Sequence, residues 1–193
     1  MTSIYAQLRR DEERAFGFWL YLMSDAIIFA LLFATYAVLR PGTADGPGPA
    51  ELFSLPRAFA ETLLLLVSST TFGLAGLAAR SGAVPRAQAL LCVTFLLGAG
   101  FLVLEIGEFR GMLDQGAGPG RSGFLSAFFV LLGTHGLHVT AGLFGIAVMA
   151  GQLAVKGATQ PVLSRLHRLG LFWHFLDIVW IGIFSVVYLP GVL

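Results

Sequence analysis

The chain has 193 residues, of which 56% are hydrophobic and only 12% are charged, and its mean hydropathy is +0.82. Soluble proteins carry roughly 25% charged residues, so this composition predicts an integral membrane protein and excludes a water-soluble globular domain. The formal net charge of +1 gives no support to a nucleic-acid partner, and the single cysteine, Cys92, excludes a disulfide framework and a thiolate metal site.

Five apolar segments long enough to cross a bilayer as helices follow one another along the chain. They are predicted at about 16–39, 59–79, 87–112, 123–152 and 169–189. Residues 1–15 are polar and mixed in charge, and they are interpreted as a cytoplasmic N-terminal arm rather than a cleavable signal peptide. None of the loops is long enough for a soluble domain. We therefore predict an all-α polytopic membrane protein in which residues 1–193 form one five-helix transmembrane domain.

The basic residues are divided unevenly between the two sides of this predicted bundle. Eight of the 12 lie in the N-terminal arm, in the loop between spans two and three, or in the loop between spans four and five. The positive-inside rule places the more basic loops in the cytoplasm. The sequence therefore predicts a cytoplasmic N-terminus and a C-terminus on the outer side.

Ionisable side chains inside the predicted spans are the main candidates for a site. A charge at the bilayer centre costs ~2.5–3.5 kcal/mol on insertion scales, and several of these groups form pairs three residues apart, on one helix face. In the last span, such a pair is expected to be close enough to hydrogen-bond. The set consists of Asp25, Glu61, Glu105, Glu108, His135, His138, His174 and Asp177.

Three interpretations of these groups are open. A metal or haem site could take two ligands from one helix face, although the Glu-x-x-His signature of di-iron bundles is absent. Acids and histidines could instead relay protons or ions. Buried polar pairs could also lock helices together where small residues allow close approach. In span four those small residues are Gly133, Gly136, Thr140, Ala141 and Gly142.

Four motifs in chain order resemble subunit III of the haem-copper oxidases. They are LMSDAIIF at 22–29, EIGEF at 105–109, GTHGLHV at 133–139 and WHFLDIVW at 173–180, and the resemblance extends over about 16–191. Subunit III of cytochrome c oxidases commonly has seven helices and a glutamate where Asp25 stands. The five-helix length, Asp25 and Glu61 most resemble subunit III of the bo-type ubiquinol oxidase.

The resemblance implies a non-redox accessory subunit of a terminal respiratory oxidase, which reduces dioxygen with electrons from ubiquinol and pumps protons. The haems and copper belong to subunit I, so no metal or cofactor is expected in this chain, which is itself expected to be non-catalytic. The implied partners are subunit I by direct contact, subunits II and IV, and phospholipids held in a cleft between helices. The implied location is the bacterial inner membrane, and the implied role includes support of proton uptake and lasting activity.

The resemblance also suggests roles for individual residues. Asp25 matches the family's buried carboxylate on its first shared helix, for which proton transfer and a structural hydrogen bond, to His174 or Thr140, are both open. Arginines near the span ends are candidates for lipid phosphates, and tryptophans are candidates for a lipid cleft, an interfacial belt or simple packing. These lipid candidates are Arg57, Arg80, Arg121, Trp19, Trp173 and Trp180.

Other functions remain as alternatives at this stage. Within the family, the chain could be subunit III of a cytochrome c oxidase or the related protein associated with nitric oxide reductases. From a different class, a small proton-coupled membrane transporter would need the acids and histidines to line one continuous path. The chain has no inverted repeat of the kind that transporters often have.

Overall fold

The computed structural model describes the backbone of residues 2–192 and the side chains of Glu13 and of residues 16–191. Within residues 2–192 there is no strand, which confirms the all-α prediction. A short π-helical segment, Phe184–Tyr188, separates the last two helices. The helices are α1 (Thr2–Leu39), α2 (Pro49–Leu52), α3 (Leu55–Arg80), α4 (Val84–Asp114), α5 (Gly123–Lys156), α6 (Gln160–Ile183) and α7 (Leu189–Val192).

Five segments are long and apolar enough to cross a membrane, as predicted; the first has the predicted bounds and the other four are longer than the sequence suggests. They are Phe16–Leu39, Leu55–Arg80, Val84–Asp114, Gly123–Lys156 and Gln160–Gly191. The fifth differs most from its prediction, because the basic stretch before residue 169 was interpreted as a loop and is helical. The N-terminal arm is also helical from Thr2, in one continuous helix with the first span.

Local sequence sets the starts of the long helices. Pro56, Pro85 and Pro161 lie in the first turns of α3, α4 and α6, where a missing N–H leaves no hydrogen bond unmade. α5 begins differently, since the hydroxyl of Ser122 accepts a hydrogen bond from the N–H of Leu125 at 3.2 Å.

The helices α3 to α6 form a four-helix bundle, and α1 packs on its side. α3 contacts α4 and α6, and α5 contacts α4 and α6. α1 packs against α5 and, less extensively, against α6. The long loop after α1 permits this arrangement, because a short loop would hold consecutive helices as close neighbours.

Two of the five small residues predicted to allow close approach to α5 do so. A Cβ atom on Gly142 would lie 2.8 Å from the ring of Trp173, and one on Gly136 would lie 2.6 Å from a carboxyl oxygen of Glu105. The other three make no such contact within the described part of the chain. Gly133 has nothing within 4 Å of such a Cβ, and both Thr140 and Ala141 are exposed. They lie on the outward face of α5, away from the 3.6-residue stripe that faces the bundle.

The π-helical segment results from Pro190. A proline removes one helical N–H, and its ring clashes with the carbonyl four residues earlier. The chain widens instead, and the N–H of Leu189 bonds to the carbonyl of Phe184, five residues back. This wide turn leaves Tyr188 fully buried in the bundle. The guanidinium of Arg40, just after α1, donates to the carbonyl of Pro190, which connects the end of α1 to α7.

Candidate functional site

Two indole groups connect α6 to α3. The indole N–H of Trp173 donates to the hydroxyl of Ser68 at 3.1 Å, and that of Trp180 donates to the hydroxyl of Thr62 at 3.0 Å. Both tryptophans are buried, with 2% and 0% exposure. Because the two helices are antiparallel, the order of the acceptors along α3 is the reverse of the order of the donors along α6. The two bonds therefore fix the register of this helix pair.

His174 also connects these two helices. Its Nδ1 lies 2.6 Å from the hydroxyl of Ser69. Helical spacing places His174 and Asp177 on one face, as predicted, but the described residues show neither a hydrogen bond nor an ion pair between them. The hydroxyl of Ser69, on the facing helix, is the partner of His174 in place of Asp177. Oδ1 of Asp177 has no hydrogen-bond partner among the described residues.

Three buried carboxyl groups lie together where α3, α4 and the π-helical segment meet, close enough for their charges to interact. We call Glu61, Glu105 and Glu108 the carboxyl cluster. Glu108 accepts a hydrogen bond from the hydroxyl of Tyr188 at 2.8 Å. Both carboxyl oxygens of Glu61 and one of Glu105 have no hydrogen-bond partner within the described part of the chain. The basic side chain of Arg57 interacts with Glu61 and Glu108 of this cluster.

Asp25 and His138 form the polar contact between α1 and α5. Nε2 of His138 lies 3.6 Å from Oδ2 of Asp25, and its Nδ1 lies 2.7 Å from the carbonyl oxygen of Thr134. The predicted partners of Asp25 are therefore wrong. His174 faces α3, and the hydroxyl of Thr140 donates to the carbonyl of its own helix at Gly136. At 3.6 Å the contact is electrostatic rather than a hydrogen bond.

His135 lies among aromatic side chains. It is fully buried. Its ring centroid is 5.5 Å from that of Trp180 and 5.7 Å from that of Phe101, whose ring stands perpendicular to it. Neither ring nitrogen has a hydrogen-bond partner among the residues described. His135 thus acts as a packing residue at the centre of the bundle.

These contacts bear on the three interpretations of the polar groups. No group of three or more His, Cys, Asp or Glu side chains is placed to hold a metal ion within the part of the chain that the structure describes. The polar contacts that His138, His174 and Glu108 make with Asp25, Ser69 and Tyr188 each join two different elements. This pattern favours the structural interpretation, in which buried polar groups lock helices together.

The lipid candidates are placed in different surroundings. Arg80 is exposed at the end of α3, and its Nη2 lies 3.3 Å from Nδ1 of His167. Arg57 is half-buried and packs beside Gly107, where its Nη2 would lie 3.5 Å from an added Cβ atom. Arg121 is exposed and lies against the loop after α1. Arg80 and Arg121 are therefore the two candidates whose side chains are open to a head group.

Among the three tryptophan candidates, only Trp19 is on the surface, with 53% exposure. Trp173 and Trp180 lie inside the bundle, and their burial favours packing among the three alternatives.

Four residues that carry these contacts were absent from the sequence-based set. They are Thr62, Ser68, Ser69 and Tyr188. Trp173 and Trp180 are seven residues apart, and a seven-residue spacing keeps side chains on one helix face. That spacing could have identified the face of α6 that contacts α3, but the acceptors Ser68 and Thr62 are six residues apart and carry no such signal. Nothing in the sequence distinguishes Tyr188 from an interfacial tyrosine.

Comparison with known proteins gives a consistent result. The family model described as cytochrome c oxidase subunit III matches residues 10–192. The chain is 56% identical to the cytochrome bo(3) ubiquinol oxidase subunit 3 of Pseudomonas aeruginosa, over 92% of this chain and 85% of that protein. It is 46% identical to the quinol oxidase subunit 3 of Bacillus spizizenii, over 91% of this chain and 86% of that protein. It is 43% identical to the cytochrome c oxidase subunit 3 of Bacillus sp. strain PS3, over 91% of this chain and 84% of that protein. The resemblance noted in the sequence is confirmed, and the chain belongs to the subunit III family of the haem-copper oxidases.

Proposed function

We propose that this chain is the non-redox accessory subunit III of a ubiquinol-oxidising terminal oxidase in the bacterial inner membrane. The observation that carries the proposal is the 56% identity to a protein named ubiquinol oxidase subunit 3, over nearly the whole length of both chains. The five membrane-spanning helices and the carboxylate at Asp25 agree with it.

In this role the chain contacts subunit I directly and belongs to a complex with subunits II and IV. The haems and copper lie in subunit I, and this chain stabilises that subunit, binds phospholipid and supports proton uptake. The tight four-helix bundle and its polar contacts between helices support a scaffold. The exposed apolar face of α1, which includes Ile27, Leu31 and Val38, is available for a neighbouring subunit or for lipid.

A second candidate within the family has one observation in its favour. A relative named cytochrome c oxidase subunit 3 is 43% identical to this chain, so the electron donor of the complex could be cytochrome c. The higher identity to a ubiquinol oxidase subunit favours ubiquinol. No comparable observation favours the nitric oxide reductase-associated protein or a proton-coupled transporter.

Activity measurements on membranes with and without the chain test the proposal. We expect the oxidase to consume oxygen with ubiquinol and not with reduced cytochrome c. Without the chain, the rate should begin near normal and then decay within fewer turnovers, because the chain stabilises subunit I and takes no part in the chemistry. Two results would contradict the proposal: oxidation of reduced cytochrome c but not of ubiquinol, or an initial rate near zero in membranes without the chain.

The orientation of the chain is a separate prediction. Eight of the 12 basic residues lie on the side that we assign to the cytoplasm. A reporter enzyme that is active only in the periplasm should therefore be active when it is fused after Leu193. The same reporter placed in the turn between α3 and α4, after Gly82, should be inactive. The reverse pattern would show that the orientation is inverted.

A further inference from the structure

The carboxyl cluster holds more acidic groups than the basic group beside it can balance. Glu61, Glu105 and Glu108 are all buried. The guanidinium of Arg57 interacts with Glu61 and Glu108 and carries a single positive charge. If all three carboxyl groups were ionised, two negative charges would have no counter-charge inside a membrane-spanning bundle, where buried charges are costly.

His135, at the α5 side of the cluster, does not supply the missing positive charge. The carboxyl group of Glu105 packs against the next residue of α5, Gly136, where its Oε2 would lie 2.6 Å from an added Cβ atom. The ring of Phe101, one turn before Glu105 on α4, has its centroid 5.7 Å from that of His135. A protonated imidazole has two N–H donors, and neither ring nitrogen of His135 has a hydrogen-bond partner within residues 16–191. A charge on this buried ring would therefore be unpaired.

Hydrogen bonds distinguish Glu108 from the other two acids. The hydroxyl of Tyr188 donates to its Oε2 at 2.8 Å, and Arg57 interacts with it. These are the surroundings that an ionised carboxylate requires, because a carboxylate only accepts hydrogen bonds. Both oxygens of Glu61 and Oε1 of Glu105 lack a partner within the described side chains. A buried group without partners is neutral rather than charged, and carboxyl groups that share one site do not all ionise.

We propose that the carboxyl cluster is a proton-binding site, in which Glu61 and Glu105 are neutral carboxylic acids and Glu108 is a carboxylate paired with Arg57. The cluster and Arg57 are then neutral together. Each neutral acid also gains an O–H donor for the unpartnered carboxyl oxygens beside it. A metal ion does not take the place of these protons, since the described His, Cys, Asp and Glu side chains form no group that could hold one.

The proposal goes beyond the proposed function. It concerns a fixed charge state of the folded chain, which is separate from the proton uptake of the oxidase. The cluster lies towards the start of α3 and the end of α4. It is therefore at the end of the bundle opposite the basic loops that we assign to the cytoplasm.

Glutamine variants separate neutral acids from carboxylates, because the amide has nearly the size and shape of a neutral carboxyl group. Glu61→Gln and Glu105→Gln each remove one proposed neutral acid. Glu51→Gln is the matched control, since Glu51 is exposed in α2. Glu108→Gln removes the proposed carboxylate and leaves Arg57 without its counter-charge. Arg57→Gln with Glu108→Gln removes both charges of the pair.

The first measurement is the infrared spectrum of the complete purified oxidase at neutral pH. The carbonyl stretching band of a neutral carboxylic acid is separate from the bands of a carboxylate. We expect Glu61→Gln and Glu105→Gln each to lose the intensity of one neutral acid, and Glu51→Gln and Glu108→Gln to lose none. An unchanged band in Glu61→Gln or in Glu105→Gln would overturn the proposal, and so would a loss of intensity in Glu108→Gln.

The second measurement is the fraction of the chain that stays in the complex after heating. Glu61→Gln and Glu105→Gln should match the wild type, Glu108→Gln should be retained less, and Arg57→Gln with Glu108→Gln should recover. Higher retention of Glu61→Gln or Glu105→Gln than of the wild type would overturn the proposal, because it would show relief of repulsion between carboxylates. Failure of the proposed function is seen separately, in a wild-type chain that purifies without any oxidase. The same infrared spectra of the purified chain then decide the charge state.

Discussion

Replacement of Trp173 by alanine should destabilise the bundle by roughly 3–5 kcal/mol, the usual loss when a large buried aromatic side chain is removed. The ring of Trp173 fits between Gly98 of α4 and Gly142 of α5, each with a Cβ position 2.8 Å from a ring atom. Its indole N–H also bonds to Ser68 of α3. One side chain therefore packs against three other helices, and within a membrane such packing is the main force between helices.

The measurement is the temperature at which the chain dissociates from the purified complex, followed by size-exclusion chromatography and quantitative immunoblotting. Trp173→Ala should lower this temperature clearly. Trp19→Ala is the matched control, since Trp19 is 53% exposed and its replacement leaves no cavity. Equal effects of the two substitutions would mean that Trp173 is not central to the packing.

Asp25→Leu should be the second most damaging substitution, with a loss of roughly 1–3 kcal/mol, the usual cost of leaving a buried polar group without its partner. The side chain of His138 is only 19% exposed, so water compensates little of this loss. The loss arises because His138 would face an apolar group in place of a carboxylate. The double variant Asp25→Leu with His138→Leu should recover much of the stability, since two apolar groups can replace a buried pair at little cost.

These variants are compared by the fraction of chain that stays in the purified complex after heating and by the rate of ubiquinol oxidation in the complex that assembles. Glu51→Leu is the control, because it replaces an exposed acid in the short helix α2. We expect Asp25→Leu to reduce retention and to leave the rate per assembled complex nearly unchanged. Full assembly with loss of proton pumping would instead identify Asp25 as a proton-transfer residue.

The sequence predicts the number and order of the spans, because a span is recognised from its own apolar residues and from the length that a helix needs to cross a bilayer. It predicts the start of α6 poorly, since basic residues that extend a helix beyond the bilayer resemble a loop. The π-helical segment depends on Pro190, and its effect on the direction of Tyr188 follows only from the folded backbone.

The partners of the polar residues could not be predicted for a different reason. Spacing along one helix identifies groups on the same face, such as His174 and Asp177, but not which neighbouring helix presents a closer partner. Ser69 lies across the interface and bonds to His174 instead. Asp25 likewise faces His138 because α1 packs on α5, and that packing depends on the arrangement of all five spans.

The central claim is that this chain is an accessory subunit of a ubiquinol oxidase and carries no redox centre of its own. The most direct measurement is affinity purification of the tagged chain from its own membranes in mild detergent, with identification of the polypeptides, haem and copper that accompany it. We predict a larger subunit with haem and copper, ubiquinol oxidase activity in the complex, and no haem or metal in the chain expressed alone. Purification of the chain without a haem-bearing partner, or stoichiometric haem, copper or iron in the isolated chain, would contradict this account.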